Sequence, residues 1–264
     1  MPAGKIAAYR SDADRAMVLH ESQIFEVNYF QFNCTVAPLN DVRVRRALAL
    51  AIDQAQIARR VVQCELVASS FTPPGCAGYS AGRAPAFDVA EAQRLLAAAG
   101  FPEGRGFPRL ELFCTTGPTS LAVMEAAQQM WRKNLGIDIA LVQQEQKVVD
   151  DALQGRRYQI ALNSFIGDHL DPTALLVIFR SGDSNNLCGW ASAEYDRLFG
   201  LAELTADTAQ RYELIRQAEA LMLAETPVVP LYYKPARVLR LPAVKGWHDN
   251  LLDLHALKFV WLEK

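Results

Sequence analysis

The sequence predicts an α/β fold on three observations. Between residues 110 and 164, short apolar runs alternate with amphipathic stretches of helical length, the pattern of parallel strands joined by crossover helices. Capping residues stand ahead of most helical stretches, and glycines close several of them. Of the 264 residues, 51% are hydrophobic and 21% charged. That balance supplies a core and excludes disordered, collagenous and disulfide-scaffold classes.

The elements follow in order. Asp41 opens a helix whose apolar positions Val44, Ala47, Leu48, Ala51, Ile52, Ala55 and Ala58 recur at i, i+3 and i+4. Residues 63–87 carry Pro73-Pro74-Gly75, Gly78, Gly82 and Pro85 and read as a long irregular excursion. Asp88 with Glu91 forms a capping box, and Gly100 stops the helix 89–99. A strand over 110–115 precedes a helix over 119–134 that ends at Gly136; a strand over 137–142 precedes a helix over 146–154 that stops at Gly155; 158–164 is the third strand. Ser192 caps a helix reaching Leu204, and Asp207 caps one reaching Glu225. The segment 227–233 is extended, and its prolines assign it to an edge strand or a crossing segment. Short strands and turns fill the last thirty residues.

Charge and motifs exclude several functions. The 27 basic and 29 acidic side chains give a net charge of -2, without the basic excess of a nucleic-acid binder. No apolar run reaches the roughly 18 residues of a membrane span, so a soluble chain is expected. The first residues lack the apolar segment of a secretory signal; the chain is cytoplasmic, or its targeting segment lies outside this sequence. Five cysteines show no C-x-x-C or metal-ligand spacing. Cys64 and Cys76 are spaced to close a short loop; the alternative is buried, unpaired thiols throughout, and the odd number leaves at least one thiol free. Dinucleotide, P-loop, hydrolase and zinc-protease signatures are missing, so no cofactor is expected. His248, Asp249, Asp253 and His255 read as a solvated turn rather than a metal site. Asp168-His169 lacks a neighbouring nucleophile, so no enzymatic activity is expected. The loop from Phe165 to Pro172 places Asp168, His169 and Asp171 beyond the third strand, where α/β sheets hold their ligands.

Residues 38–53, PLNDVRVRRALALAID, closely resemble the signature of extracellular solute-binding proteins of the oligopeptide and dipeptide transport family. The resemblance continues through NYFQFN (28–33), AQRLLAAAGF (92–101), MWRKNLGI (130–137), QEQK (144–147), Gly167-Asp168 and VPLYY (229–233). It covers nearly the whole chain from residue 20 and is nearest to the oligopeptide-binding branch. It implies the second lobe of a type II periplasmic-binding-protein fold, a mixed sheet flanked by helices, in which two lobes close over a peptide and hand it to an ABC permease. Residues 26–234 correspond to that lobe, residues 1–25 to a hinge and first-lobe remnant, and residues 235–264 to a returning segment. Members of the family are roughly twice this length, so the first lobe is a missing partner. A periplasmic or extracellular place, with a lipid anchor as an option, goes with the resemblance.

The resemblance also implies site residues. The family's aspartate that pairs with the peptide α-ammonium falls on Asp168, a sensible charge-assisted contact in a drying cleft. Two cleft tryptophans fall on Gln146 and Phe165. Tyr29, Asn186, Trp190 and Tyr233 lie where cleft walls are expected, with core packing as the alternative for the aromatics. The arginines that meet the peptide carboxylate fall near Ala152 and Leu162, a histidine with a similar task falls near Ser120, and the branch's disulfide cysteines fall on Glu26 and Ile166. The ammonium anchor is therefore kept while the carboxylate anchors are lost, which points to a longer or modified peptide, or an amine-bearing metabolite. Trp131 and Trp247 read as packing residues, and Arg43-Arg45-Arg46 as a solvated helix start. Apolar residues near the end, Leu251, Leu254, Val260 and Trp261, would invite self-association. The alternative function is an effector-sensing or interaction module of a regulator built on the same lobe.

Overall fold

A mixed five-stranded sheet in the order β3-β2-β4-β1-β5 carries the fold; the computed structural model describes residues 3–12, 15 and 17–263. Its strands are β1 (Leu19–Phe32), β2 (Leu110–Thr115), β3 (Ile139–Gln144), β4 (Ile160–Ile166) and β5 (Val228–Leu239). β2 runs parallel to β3 and β4, while β1 lies antiparallel between β4 and β5. The parallel trio is the one that strand–helix alternation predicts. Two of its strands begin and end two residues later than the apolar pattern suggests, because Ile137 and Tyr158 are buried as lead-ins to the strands. β5 is an edge strand, as its prolines require, and it continues to Leu239.

The helices are α1 (Ala3–Ser11), α2 (Val42–Leu50), α3 (Gln54–Gln56), α4 (Val89–Ala98), α5 (Pro118–Leu135), α6 (Gln146–Gln154), α7 (Thr173–Leu176), α8 (Ala193–Leu204) and α9 (Thr208–Glu225). Side-chain caps start α2, α4, α8 and α9: Asp41, Asp88, Ser192 and Asp207 each accept a backbone N–H of the first turn. The capping box is only half made. Glu91 turns its carboxylate to Arg94, and the Asp88 N–H donates to the Leu50 carbonyl instead. The single helix expected over 41–58 is broken. Asp53 accepts the Gln56 N–H and starts a new turn, α3, which widens to a π-helical stretch over Ile57–Val62. An aspartate inside an apolar helical pattern competes for backbone donors and can found a second helix.

Two hydrophobic clusters cover the two faces of the sheet, and β1 divides between them by parity. Phe30 and Phe32 join the cluster of α2, α4 and α5, where Phe30 meets Trp131 at 5.4 Å between ring centroids. Trp131 donates its indole N–H to the Leu48 carbonyl at 2.9 Å, so it is a packing residue. Phe25, Val27 and Tyr29 join the opposite cluster with Phe71, Phe179 and the apolar faces of α8 and α9.

Arg45 corrects the expectation of a solvated arginine group. It is buried and donates to the carbonyls of Leu39, Asn40, Glu225 and Thr226, which bolts the start of α2 to the end of α9. Those carbonyls include the open C-terminal end of α9, where a cation is favoured. Arg43 and Arg46 stand on either side of it; Arg43 pairs with Asp41 at 2.6 Å.

β1 and β5 are continuous across the expected lobe limits at residues 25 and 234. Their register shifts between Gln23 and Val27, so residues 19–23 with 235–239 form a ribbon beyond the main sheet. Within the shift, Phe25 donates to Leu251 at 2.6 Å and accepts from the Gly167 N–H at 2.9 Å. Of the segment 1–25, residues 1, 2, 13, 14 and 16 lie outside the described residues, as does residue 264 of the segment 235–264. In the latter, Leu254 and Trp261 are exposed as expected, whereas Leu251 packs against the core. Among the described residues no helix is long and apolar enough to cross a membrane.

Candidate functional site

The carboxyl ends of β2 and β4 meet β1 and β5 around a polar recess of about 390 Å³. Register places its floor. Asn28 pairs with Ser164 on one side and Tyr232 on the other, and Glu26 pairs with Ile166. Glu26 and Asn28 share a β1 face because they are two residues apart. Ser120 of α5 and Gln146 and Asp150 of α6 form the rim.

Three features define its chemistry. The Glu26 side chain is only 7% exposed and meets the Lys234 ammonium at 3.0 Å, with its second oxygen at 3.2 Å. A carboxylate this buried needs such a partner. Gln146 donates to the Asp150 carboxylate at 2.8 Å across one turn of α6. The buried Asn28 side-chain nitrogen has no hydrogen-bond partner. A buried amide donor left unmade costs about 1–3 kcal/mol, which a carbonyl acceptor would recover once the side chain turned to meet it.

A second recess of about 460 Å³, sharing no lining residue with the first, is lined by Phe165, Asp168, His169, Phe199 and Arg211. Asp168 lies two residues beyond β4, with its side chain 88% exposed, and its carboxylate contacts His169 Nδ1 at 2.6 Å. That hydrogen bond holds the Asp168 carboxyl below the usual carboxylate range, so it stands ionised and open at neutral pH. Arg211 is occupied by Asp171, with two contacts of 2.7 Å.

Gln146 thus lies on the first recess, and Phe165 and Asp168 on the second. The other four residues expected on a cleft wall are interior, and each has a local reason. Tyr29 has odd parity on β1 and meets Phe71 edge-on at 5.0 Å. Tyr233 is turned away by a bulge: Asn28 pairs with Tyr232 while Tyr29 pairs with Pro230, leaving Leu231 as the extra residue. Tyr232 therefore lines the recess, and the Tyr233 hydroxyl meets Ser70 at 2.8 Å inside. Asn186 binds the carbonyls of Arg180 and Trp190, which shapes its loop. Trp190 donates to Glu225 at 2.7 Å and packs on Tyr195. Sequence reasoning missed Asn28, Ser164, Tyr232 and Lys234. Glu26 and Asn28, polar residues two apart in the otherwise largely apolar stretch 24–32, were the signal that could have found the floor.

Near the C-terminal end, His255 stacks on Trp247 at 3.8 Å and contacts Asp253 at 2.9 Å. Among the described residues no group of three or more potential ligands is placed to hold a metal ion.

Comparison with known proteins adds to this geometry. A sequence profile described as "Bacterial extracellular solute-binding proteins, family 5 Middle" matches residues 1–186. The chain is similar to the oligopeptide-binding protein OppA of Bacillus subtilis, 32% identical over 224 residues, covering 81% of this chain and 41% of that protein. It is also similar to the periplasmic oligopeptide-binding protein OppA of Salmonella typhimurium, 33% identical over 226 residues, with 83% and 41% covered. Among solved structures, the murein tripeptide binding protein MppA of Escherichia coli superposes with a TM-score of 0.89 at 26% identity, covering 100% of this chain and 53% of that one. The chain therefore spans about half the length of the proteins it matches.

Proposed function

Because the chain belongs to family 5 of the bacterial extracellular solute-binding proteins, we propose that it is the C-terminal ligand-binding lobe of the substrate-binding component of an ABC-type peptide importer. The reading rests on one observation above the others: the unpartnered Asn28 amide beside Ser164, at the carboxyl ends of the parallel strands. A peptide backbone is a row of carbonyls and amides, and an orphan donor in a polar recess suits a carbonyl.

In this reading the peptide lies across the floor of the first recess. The exposed Asp168 carboxylate pairs with its α-ammonium, and Phe165 and Gln146 stand as side-chain neighbours. A first lobe closes over the ligand, and the register shift at residues 24–26 lies on the hinge side of the lobe. The exposed Leu254, Leu257, Phe259 and Trp261 then face that first lobe, or a second copy in its absence. The work is extracytoplasmic, delivery is to permease subunits, and the role is binding rather than catalysis.

One lobe covers one face of a ligand, so polar anchors stay wet and weak. The 264-residue chain is expected to bind a tripeptide no better than about millimolar, or about -4 kcal/mol. Titration of the isotope-labelled chain by NMR tests this. The expected result is shifts at Asn28, Ser164 and Asp168, with a preference for a free over an acetylated amino terminus that Asp168→Asn removes. Equal shifts from both peptides would overturn the anchor, and shifts confined to other surfaces would overturn the recess.

A further inference from the structure

We propose that Cys34 and Cys188 are a disulfide-forming pair that ties the end of β1 to the loop between α7 and α8. The two residues meet backbone to backbone, the Cys34 N–H donating to the Cys188 carbonyl at 2.8 Å. The bond lengths along one such hydrogen bond hold the two Cα atoms within about 6–7 Å, which reaches the span that a disulfide bridges.

The contact is held from several sides. Asn33 donates to the Arg156 and Tyr158 carbonyls at 2.9 Å, and Arg156 donates to the Asn186 carbonyl at 3.0 Å. Gly189 presses so closely on Thr35 that a Cβ there would overlap its methyl group. The remaining cysteines have no such neighbour. Cys64 and Cys114 belong to the cluster on one face of the sheet and Cys76 to the other, so the short loop suggested by the spacing of Cys64 and Cys76 is not closed. The pair also differs from the family's bridge, whose positions hold Glu26 and Ile166 here.

Their environments divide the chemistry between them. Cys34 is partly exposed and Cys188 is 2% exposed. The neighbouring Cys188 thiol and then the Arg45 charge lower Cys34, while the Cys34 neighbour and burial push Cys188 up, whose thiol donates to Asn186 Oδ1 at 3.2 Å. Cys34 is therefore the attacking thiolate. With oxidised glutathione as the oxidant, its sulfur attacks the glutathione disulfide, that S–S bond breaks, and one glutathione leaves as thiolate. Cys34 then carries no negative charge, which removes a main cause of the high Cys188 value. Cys188 loses its proton and attacks the Cys34 sulfur, expelling the second glutathione. Two protein thiols are oxidised, one disulfide is reduced to two thiols, and the two protons end on glutathione or solvent.

The test is thiol titration under denaturing conditions, with peptide mapping, after the purified chain is incubated in oxidised glutathione. The thiol count is expected to fall from five to three, with the Cys34 and Cys188 peptides linked. Cys64→Ser should still lose two thiols. Cys188→Ala should stop at a glutathione adduct on Cys34, and Cys34→Ser should form no cross-link. An unchanged count, a lasting Cys34 adduct in the wild type, or a link through Cys64, Cys76 or Cys114 would each overturn the pairing.

Discussion

Glu219 gives the chain a pH-dependent stability that can be worked out from its surroundings. Its side chain is fully buried on α9. One oxygen accepts the N–H groups of Phe71 and Thr72 at 3.0 and 2.8 Å, and the other accepts the Tyr79 hydroxyl at 2.7 Å. These bonds clip the 63–87 excursion to the helix and favour the ionised form. Burial opposes them and wins, raising the carboxyl from 4.5 to about 7. The folded state then binds a proton that the unfolded state releases between those values. Its contribution is full below about pH 4.5 and is lost as pH rises through 7. A difference of about 2.5 at about 1.4 kcal/mol per unit makes the loss about 3 kcal/mol. The ion-paired carboxylates Glu21, Glu91, Glu194, Glu213 and Asp171 are all lowered, so they titrate below this window and leave it to Glu219.

The perturbation is Glu219→Gln. The amide oxygen still accepts the two N–H groups, and its nitrogen donates to the Tyr79 oxygen, so the clip survives without a titrating proton. Urea unfolding followed by tryptophan fluorescence at pH 5, 6 and 7 should show the wild type weakening by about 2 kcal/mol, the part of the loss that falls inside that window, with the variant nearly flat. Glu219→Ala should instead lose about 2–5 kcal/mol at every pH, because two buried N–H groups lose their acceptor. A wild type as stable at pH 7 as at pH 5, or a Glu219→Gln protein that keeps the slope, would refute the reasoning.

Three further outcomes follow from the packing. Arg45→Ala strips donors from the carbonyls of Leu39, Glu225 and Thr226 and should destabilise by about 2–4 kcal/mol, read as the shift of the chemical-denaturation midpoint. Gly167→Ala places a methyl group on the Phe25 ring, so calorimetry should report a fall in Tm matching about 1–3 kcal/mol. Asp171 is held at about 2 by Arg211 and Thr173, against the opposing effect of burial. A lowered carboxyl contributes stability that is lost as pH falls from 3.8 towards 2. Asp171→Asn should remove about 1 kcal/mol of acid sensitivity after allowance for solvent screening, and an unchanged acid-unfolding curve would contradict it.

Local chemistry made much of the fold legible before any coordinates. Caps such as Asp41, Asp88, Ser192 and Asp207 act on N–H groups two or three residues away, so their meaning survives without the rest of the chain. The same locality explains the strands and helices between 110 and 166, whose alternation is built into neighbouring residues. Even the loop bearing Asp168 could be placed beyond a strand end. Asp53 shows the limit, since a cap hidden in an apolar repeat reads as one more helical residue.

Local pattern alone therefore establishes the α/β class, the family, most element boundaries and the strand ends at which the loops converge. Which side chains reach those strand ends is set by packing between distant segments. Residues 24–32 are nearly all apolar or buried on both faces of a central strand, so no alternation marks Asn28 as floor and Tyr29 as core. A single extra residue, Leu231, puts Tyr232 rather than Tyr233 on the recess. Arg45 looks like its solvated neighbours until α9 ends against it. Parity, bulges and contacts such as Cys34 with Cys188, 154 positions apart, belong to pairing between distant segments. A linear pattern carries the preferences of each segment but not the register at which two of them meet.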